Sequence, residues 1–144
     1  MGISLSDAVR ELVDGKNYAT LATINADGSP QTSAMWVGRD GDDLLFSTVA
    51  GRLKDRNMRR DPRVSVTIME REDPEKYAEI RGTATITEEG GRALDNDLSW
   101  KYDGRDAGED APGAVRVVVR VVPTKVTGNL TSSPRLKAGG FQPH

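Results

Sequence analysis

The sequence predicts a mainly β protein, in which six or seven antiparallel strands form one barrel decorated by two or three short helices. A chain of 144 residues fits a single domain. Segments that alternate apolar and polar residues recur along it, and short turns join the first three of them. A parallel α/β sheet is not predicted, because it would need a helix between nearly every pair of strands.

The first half of the chain begins with a helix and three strands. Ser6 is the predicted N-cap of an amphipathic helix that ends at Gly15. A second helix is predicted over residues 52–61 and ends before Pro62, because proline disfavours a helical residue ahead of it. The strands between these helices are joined only by turns, so we predict an antiparallel meander over residues 18–24, 31–38 and 44–48.

The second half is predicted to hold one helix, residues 88–102, and four strands, residues 64–69, 77–87, 114–122 and 125–129. Gly82 marks a bulge or a close backbone approach. Pro123 is expected to break the sheet between the last two strands, and the glycine- and acid-rich segment 103–113 to be a mobile loop. We expect residues 1–130 to form the domain and residues 131–144 a tail that is ordered only by contact.

Composition excludes several function classes. The chain has no cysteine, which excludes disulfides, thiolate metal sites and a cysteine nucleophile. Its one histidine, His144, is the last residue, so we predict neither a metal site nor a Ser-His-Asp triad. No long apolar run and no export signal occur, so we predict a cytoplasmic protein without a membrane segment.

Positive charge is concentrated in residues 52–63, which hold six basic and two acidic residues in a chain of net charge -2. The segment starts a helix after a turn rich in hydroxyls and glycine, and such a helix start binds phosphate through N–H groups, hydroxyls and the helix dipole. We therefore predict an anion site at Arg52, Lys54 and Asn57, with Ser47 upstream. A solvated helix face with local ion pairs is the alternative.

A basic segment also suggests nucleic acid as a partner. The whole chain is acidic, however, with a pI near 5.5, and its basic stripe is confined to one helix. That falls short of a nucleic-acid footprint. The sequence therefore favours a small phosphorylated ligand and no nucleic acid.

Three segments, in this order along the chain, resemble a known family: residues 18–36, residues 45–54 and residues 57–63. The predicted strand at residues 79–84 supports the resemblance. Together they resemble the flavin- and deazaflavin-dependent oxidoreductases with the pyridoxamine-phosphate-oxidase-like split β-barrel, and among these the branch often called F420-dependent. The resemblance covers roughly residues 5–130. It implies a six- to seven-stranded antiparallel split β-barrel and a homodimer with two cofactor sites at the subunit interface.

The resemblance also implies which residues bind the cofactor. Its phosphate is expected on the residues of the predicted anion site, Ser47, Arg52, Lys54 and Asn57. Its flat ring is expected along the first two strands, beside Ala22, Thr23, Ser33, Met35 and Trp36. The partner subunit is expected to contribute residues 76–78, including Tyr77, and residues 127–129. Met35 and Trp36 are neighbours in a predicted strand, so we expect them on opposite faces.

Hydride transfer suits a chain without cysteine or internal histidine, because the cofactor carries the redox chemistry. The expected function is hydride transfer between F420 and a small conjugated molecule bound near Trp36. Surplus cations on the basic helix, such as Arg56, Arg59 and Arg60, suit the acidic tail of F420.

FMN is the rival cofactor, since it shares the phosphate and the flat ring with F420. The alternatives are an FMN-binding oxidoreductase of the pyridoxamine-phosphate-oxidase-like class and a carrier of F420 or FMN that has no turnover. No individual catalytic residue is predicted.

Overall fold

The computed structural model describes residues 2–130, which form three helices and seven strands. The helices are α1 (Asp7–Asp14), α2 (Leu53–Arg60) and α3 (Gly91–Asp103). The strands are β1 (Ala19–Ile24), β2 (Pro30–Met35), β3 (Gly38–Asp40), β4 (Asp43–Val49), β5 (Arg63–Met69), β6 (Tyr77–Thr87) and β7 (Arg116–Thr127). The predicted mainly β class is confirmed. The predicted tail, residues 131–144, lies outside the described residues.

The strands of this part of the chain form one antiparallel sheet, in the order β2-β1-β5-β6-β7-β4-β3. β2 and β3 are its edges, yet only Trp36 and Val37 separate them in sequence. Three peptide units span roughly 11 Å at most, so the sheet must curl until its two edges lie close together. Because β2 and β3 are not paired, the barrel has a seam, and it is a split barrel as predicted.

The inner faces of the strands enclose one hydrophobic core. Alternate residues of β1 and β4 are buried, which brings Leu21 and Phe46 into the centre. α1 adds its apolar stripe to this core, and α2 adds Met58. The alternation that predicted these strands therefore follows from one buried face in each.

Helix α1 begins and ends as predicted. The Ser6 hydroxyl accepts a hydrogen bond from the Val9 N–H at 3.3 Å, and Gly15 is the C-cap. Helix α3 begins later than predicted, at Gly91 instead of residue 88, because Gly90 adopts a left-handed conformation with φ of 82°. No helix within residues 2–130 is long and apolar enough to cross a membrane.

The predicted meander is wrong after its first hairpin. β1 pairs with β2, but β4 pairs with β3 on one side and β7 on the other. The predicted second strand, residues 31–38, is two strands separated by Trp36 and Val37. The chain changes there from one edge of the sheet to the other, which a local alternation pattern does not reveal.

Strand β7 continues through Pro123, where a break was predicted. The register between β6 and β7 shifts between Arg81 and Gly82, directly opposite this proline. A Cβ atom at Gly82 would lie 2.4 Å from the Val122 carbonyl oxygen. The glycine therefore permits a bulge that accommodates the proline within the sheet, and the predicted bulge is confirmed.

The loop after α3, residues 103–113, was predicted to be mobile, but its side chains bond to α3 and β7. The Trp100 Nε1 donates to Asp106 Oδ1 at 2.8 Å. Asp110 forms ion pairs with Arg92 and Arg116, at 2.9 and 2.8 Å. These contacts hold the acidic loop beside the seam of the barrel.

Candidate functional site

A cavity of about 290 Å³ lies at the seam of the barrel. The end of β2, the side of β4, the start of β7 and helix α3 form its walls. Its lining residues are Tyr18, Ala34, Met35, Trp36, Ser47, Asp95, Leu98 and Arg116. Two predicted ring neighbours, Met35 and Trp36, thus meet the predicted phosphate residue Ser47 in one space. Met35, the last residue of β2, lies opposite Ala19 on the inner face and packs against the core, whereas Trp36 follows the strand and stacks on Tyr102 of α3.

Trp36 is held in place by Tyr102 of α3. The two rings stack with centroids 5.4 Å apart and planes 5° apart. The Tyr102 hydroxyl donates to the Asn17 carbonyl at 2.6 Å and accepts from the Val37 N–H at 3.2 Å. Lys101 Nζ donates to the Val37 carbonyl at 2.7 Å, and burial lowers the pKa of this lysine to about 8. Trp36 and Val37, which connect the two edges of the sheet, are therefore held in place by α3.

Arg116 and Ser47 form another part of the cavity lining. Arg116 Nε and Nη2 both contact the Asp110 carboxylate, at 2.8 to 3.0 Å. Its Nη1 lies 3.5 Å from the Ser47 hydroxyl and 3.5 Å from Asp95 Oδ1. Two sides of the guanidinium are thus firmly bound, while the third makes only long contacts beside the cavity.

Several cations of α2 have no carboxylate partner. Within residues 2–130, no ion pair reaches Arg52, Lys54, Arg56 or Arg60, whereas Arg59 pairs with the buried Asp55 at 2.8 Å. Burial lowers the pKa of Lys54, and the neighbouring Arg52 lowers it further. An anion bound between these two cations would oppose both effects.

The backbone at the start of α2 contributes less to this site than the sequence predicted. The Gly51 N–H donates to Asp55 Oδ2 at 2.7 Å, and the Arg52 N–H donates to the Val49 carbonyl at 3.3 Å. Two N–H groups of the turn are therefore already used by the chain itself. An anion here would depend mainly on the side chains of Arg52 and Lys54.

Asn57 is fully buried and its side chain serves the fold. Its Nδ2 donates to Thr23 Oγ1 at 3.0 Å and to Asn25 Oδ1 at 2.9 Å, while its Oδ1 accepts from Arg60 Nη2 at 2.7 Å. The Thr23 hydroxyl in turn donates to Gln31 Oε1 at 2.6 Å. These bonds join α2 to the first hairpin, so in this structure neither Asn57 nor Thr23 offers a free polar group. No hydrogen bond within the described chain joins Ser47 to α2.

The remaining ring neighbours predicted on the first hairpin fall on its two faces. Thr23 and Ser33 lie on the inner face, where the Ser33 hydroxyl is buried without a partner among the described residues. Ala22 lies on the outer face, opposite Thr32. The hairpin therefore does not present these residues as one surface.

Tyr77 is the first residue of β6 and does not line this cavity. It is 38% exposed, and its N–H donates to Asn129 Oδ1 at 3.0 Å. Residues 76–78 and 127–129 are thus neighbours, as a shared role at an interface requires. Their contribution to a partner's site stays a prediction.

The sequence did not single out Arg116, Asp95 or Tyr102 as site residues. Arg116 alternates with buried valines of β7, which marks it only as a residue of the polar face. Asp95 and Tyr102 lie in a segment whose pattern predicts only a helix that packs against the barrel. What brings them together is the packing of α3 across the seam, which no local pattern in the sequence reports.

The model of the pyridoxamine 5'-phosphate oxidase family matches residues 5–129, which is most of the chain. The chain belongs to this family. An F420 reductase of known structure is 32% identical, with a TM-score of 0.77, over 85% of this chain and 98% of that one. A conserved hypothetical protein from Mycobacterium tuberculosis is 28% identical, with a TM-score of 0.70, over 96% of this chain and 95% of that one.

A more distant relative shares the fold alone. General stress protein 26 from Bacillus anthracis is 21% identical, with a TM-score of 0.64, over 83% of this chain and 89% of that one. The family and its structures support the split barrel derived above, and the family is one of flavin-type oxidoreductases.

Proposed function

We propose that this protein is an F420-dependent reductase, which transfers a hydride between F420 and a small conjugated molecule. The observation that carries the proposal is the set of cations at α2 that form no ion pair within residues 2–130, in a chain that is 32% identical to an F420 reductase. A phosphate and an acidic tail are what such cations would bind. A second cavity, of about 460 Å³, lies beside Arg56 and Arg60 between α2 and the first hairpin, and supports a place for that tail.

The residues present fit such a cofactor. Arg52 and Lys54 would hold its phosphate, and the seam cavity beside Trp36 would receive its ring. The cofactor supplies the hydride chemistry when bound. The chain contributes position: Trp36 is fixed by its stack on Tyr102, and Met35 and Leu98 give the cavity apolar lining residues.

FMN is the alternative cofactor, because it has the same phosphate and a similar flat ring. A carrier of either cofactor is the second candidate, since binding requires the same cations as catalysis. Turnover of reduced F420 with a panel of conjugated acceptors separates the two, because a carrier binds without oxidising its ligand. We further propose a homodimer in the cytoplasm, with no nucleic acid partner.

The test of the site is binding by the variant in which Arg52→Ala and Lys54→Ala are combined. We expect the purified protein to bind F420 in the micromolar range, more tightly than FMN, and the double variant to lose at least about a hundredfold in affinity, because charge-assisted hydrogen bonds contribute about 1.5–3 kcal/mol each. Fluorescence titration measures the affinities for both ligands.

The matched control combines Arg63→Ala with Arg71→Ala, which removes the same charge from exposed positions outside the site. This control is expected to bind like the parent protein. Unchanged affinity in the Arg52 and Lys54 variant would return α2 to a solvated surface helix. Failure of the parent protein to bind either cofactor would overturn the proposed function.

A further inference from the structure

The seam cavity contains a hydrogen-bond donor and an acceptor side by side. Arg116 Nη1 lies 3.5 Å from Asp95 Oδ1, and both residues line the cavity. Neither group is saturated: Arg116 is held through its other two nitrogens by Asp110, and the Asp95 carboxylate has only two long ion pairs, each 3.5 Å, within the described residues. An N–H and a carboxylate oxygen thus remain available at neighbouring points of one wall.

The ion-pair network that contains this pair is balanced in charge. Arg116 and Arg92 face Asp95 and Asp110 in one connected network. An anionic ligand would meet the Asp95 carboxylate at close range, and a cationic ligand would meet the Arg116 guanidinium. A neutral group that both accepts and donates a hydrogen bond satisfies the two without unpaired charge.

The other walls restrict the shape of that ligand. The ring of Trp36 lies along the cavity, with Met35 and Leu98 as apolar neighbours. Because Trp36 is stacked on Tyr102, its plane is fixed before a ligand enters. A flat ring that packs on these apolar groups would bring its polar edge to Arg116 and Asp95.

We propose that Arg116 and Asp95 recognise the edge of a flat heterocycle that carries a carbonyl oxygen beside an N–H, with the oxygen accepting from Arg116 Nη1 and the N–H donating to Asp95. The inference rests on the proposed function and deepens it. Such an edge has two sources: the pyrimidine-dione edge of a flavin-type ring, or an amide edge on the substrate. Arg116 and Asp95 are then specificity-determining residues that α3 and β7 bring together.

The test uses lumichrome, a flat ring that carries this edge without any phosphate or side chain, and its 1,3-dimethyl derivative, which keeps the carbonyls and loses both N–H groups. Fluorescence titration of the purified protein should show lumichrome binding at least tenfold more tightly, because methylation removes the hydrogen bond to a charged acceptor. Equal affinities would overturn the proposal, and so would failure of lumichrome to bind a protein that binds F420 or FMN.

Variants locate the effect at the named pair. Asp95→Asn, which keeps the shape and removes the charge, should reduce the discrimination between the two compounds to a few-fold. Arg116→Lys should weaken the binding of lumichrome about tenfold. The control is Arg120→Lys on the same strand, β7; Arg120 is ion-paired with Asp40 and Asp43, so its substitution should leave lumichrome binding unchanged. Thermal unfolding checks that each variant is folded. Unchanged discrimination in folded Asp95→Asn would overturn the assignment.

Competition identifies the source of the edge. If FMN or F420 displaces lumichrome, Arg116 and Asp95 bind the ring of the cofactor. If lumichrome binds together with either cofactor, the two residues bind the substrate. Both results support the recognition of this edge. If lumichrome binds with the expected preference while neither cofactor binds, the proposed function fails and this inference stands.

Discussion

A single buried carboxamide shows how far residue type alone predicts a role. The resemblance placed Asn57 on the cofactor phosphate, and the structure gives all of its polar atoms to Thr23, Asn25 and Arg60. Arg52 and Lys54, by contrast, form no ion pair within residues 2–130, so their charges are available for the role proposed for them. Residue type identifies which side chains can bind an anion, but their partners in the folded chain decide which of them are free to do so.

Glu79 provides a prediction at this scale. Hydrogen bonds from Arg81, Ser65 and Thr127 lower the pKa of its carboxyl group to about 2, and burial opposes this shift only in part. Because the folded pKa is lower than the unfolded one, the ionised carboxylate stabilises the fold above about pH 4.5, and this contribution is lost as the pH falls from about 4.5 to 2.

Glu79→Gln should therefore cost about 1 kcal/mol of unfolding free energy at pH 7, a reduced figure because the side chain is 26% exposed and solvent screens its pairs. Urea unfolding at pH 7 and at pH 2.5 measures it. The difference between parent and variant should shrink at the lower pH. A difference that stays constant over this range would contradict the assigned ion pair.

At the scale of elements, the bulge between β6 and β7 lets one long strand form where two were predicted. Proline cannot donate to a sheet ladder, which is why Pro123 predicted a break. Gly82 on the neighbouring strand removes the conflict by allowing the Val122 backbone to approach. The sequence contains both signals, but only their pairing across strands shows that each compensates for the other.

Gly82→Ala tests this pairing. The new Cβ would meet the Val122 carbonyl oxygen at 2.4 Å, and backbone cannot move there without disturbing the register, so we expect a loss of roughly 2 to 4 kcal/mol in unfolding free energy. Chemical denaturation measures the loss. Gly108→Ala is the control, because its Cβ would meet nothing within 4 Å, and it should change stability by less than about 0.5 kcal/mol. Equal effects of the two substitutions would show that the close approach is absent.

At the scale of the whole molecule, an apolar pair on the sheet surface bears on the proposed homodimer. Met69 and Tyr77 are partners across β5 and β6, and they are 49% and 38% exposed. Two large neighbouring apolar side chains on an open sheet face favour burial against another surface. Residues 76–78 are also those expected to contribute to the partner's site.

Met69→Lys should accordingly weaken the dimer. We expect the parent protein to sediment as a dimer and the variant to shift toward monomer at micromolar concentration, because a lysine in an apolar interface loses its hydration. Sedimentation velocity measures the change, and circular dichroism shows that the variant is folded. Glu72→Gln, the same change in charge on the turn between these strands, should leave the dimer intact. A dimer unaffected by Met69→Lys would place the interface elsewhere.

By itself, the sequence determined the class of the fold, the bounds of α1 and β6 to within a residue, and the concentration of cations at α2. Each of these depends on residues close together in the chain, through alternation, capping or local charge. The tertiary structure alone decided the strand order, the seam at Trp36 and Val37, and the meeting of Arg116 with Asp95 and Ser47. Those features join residues tens of positions apart, so they arise from the curling of the sheet and from the packing of α3, which no local pattern encodes.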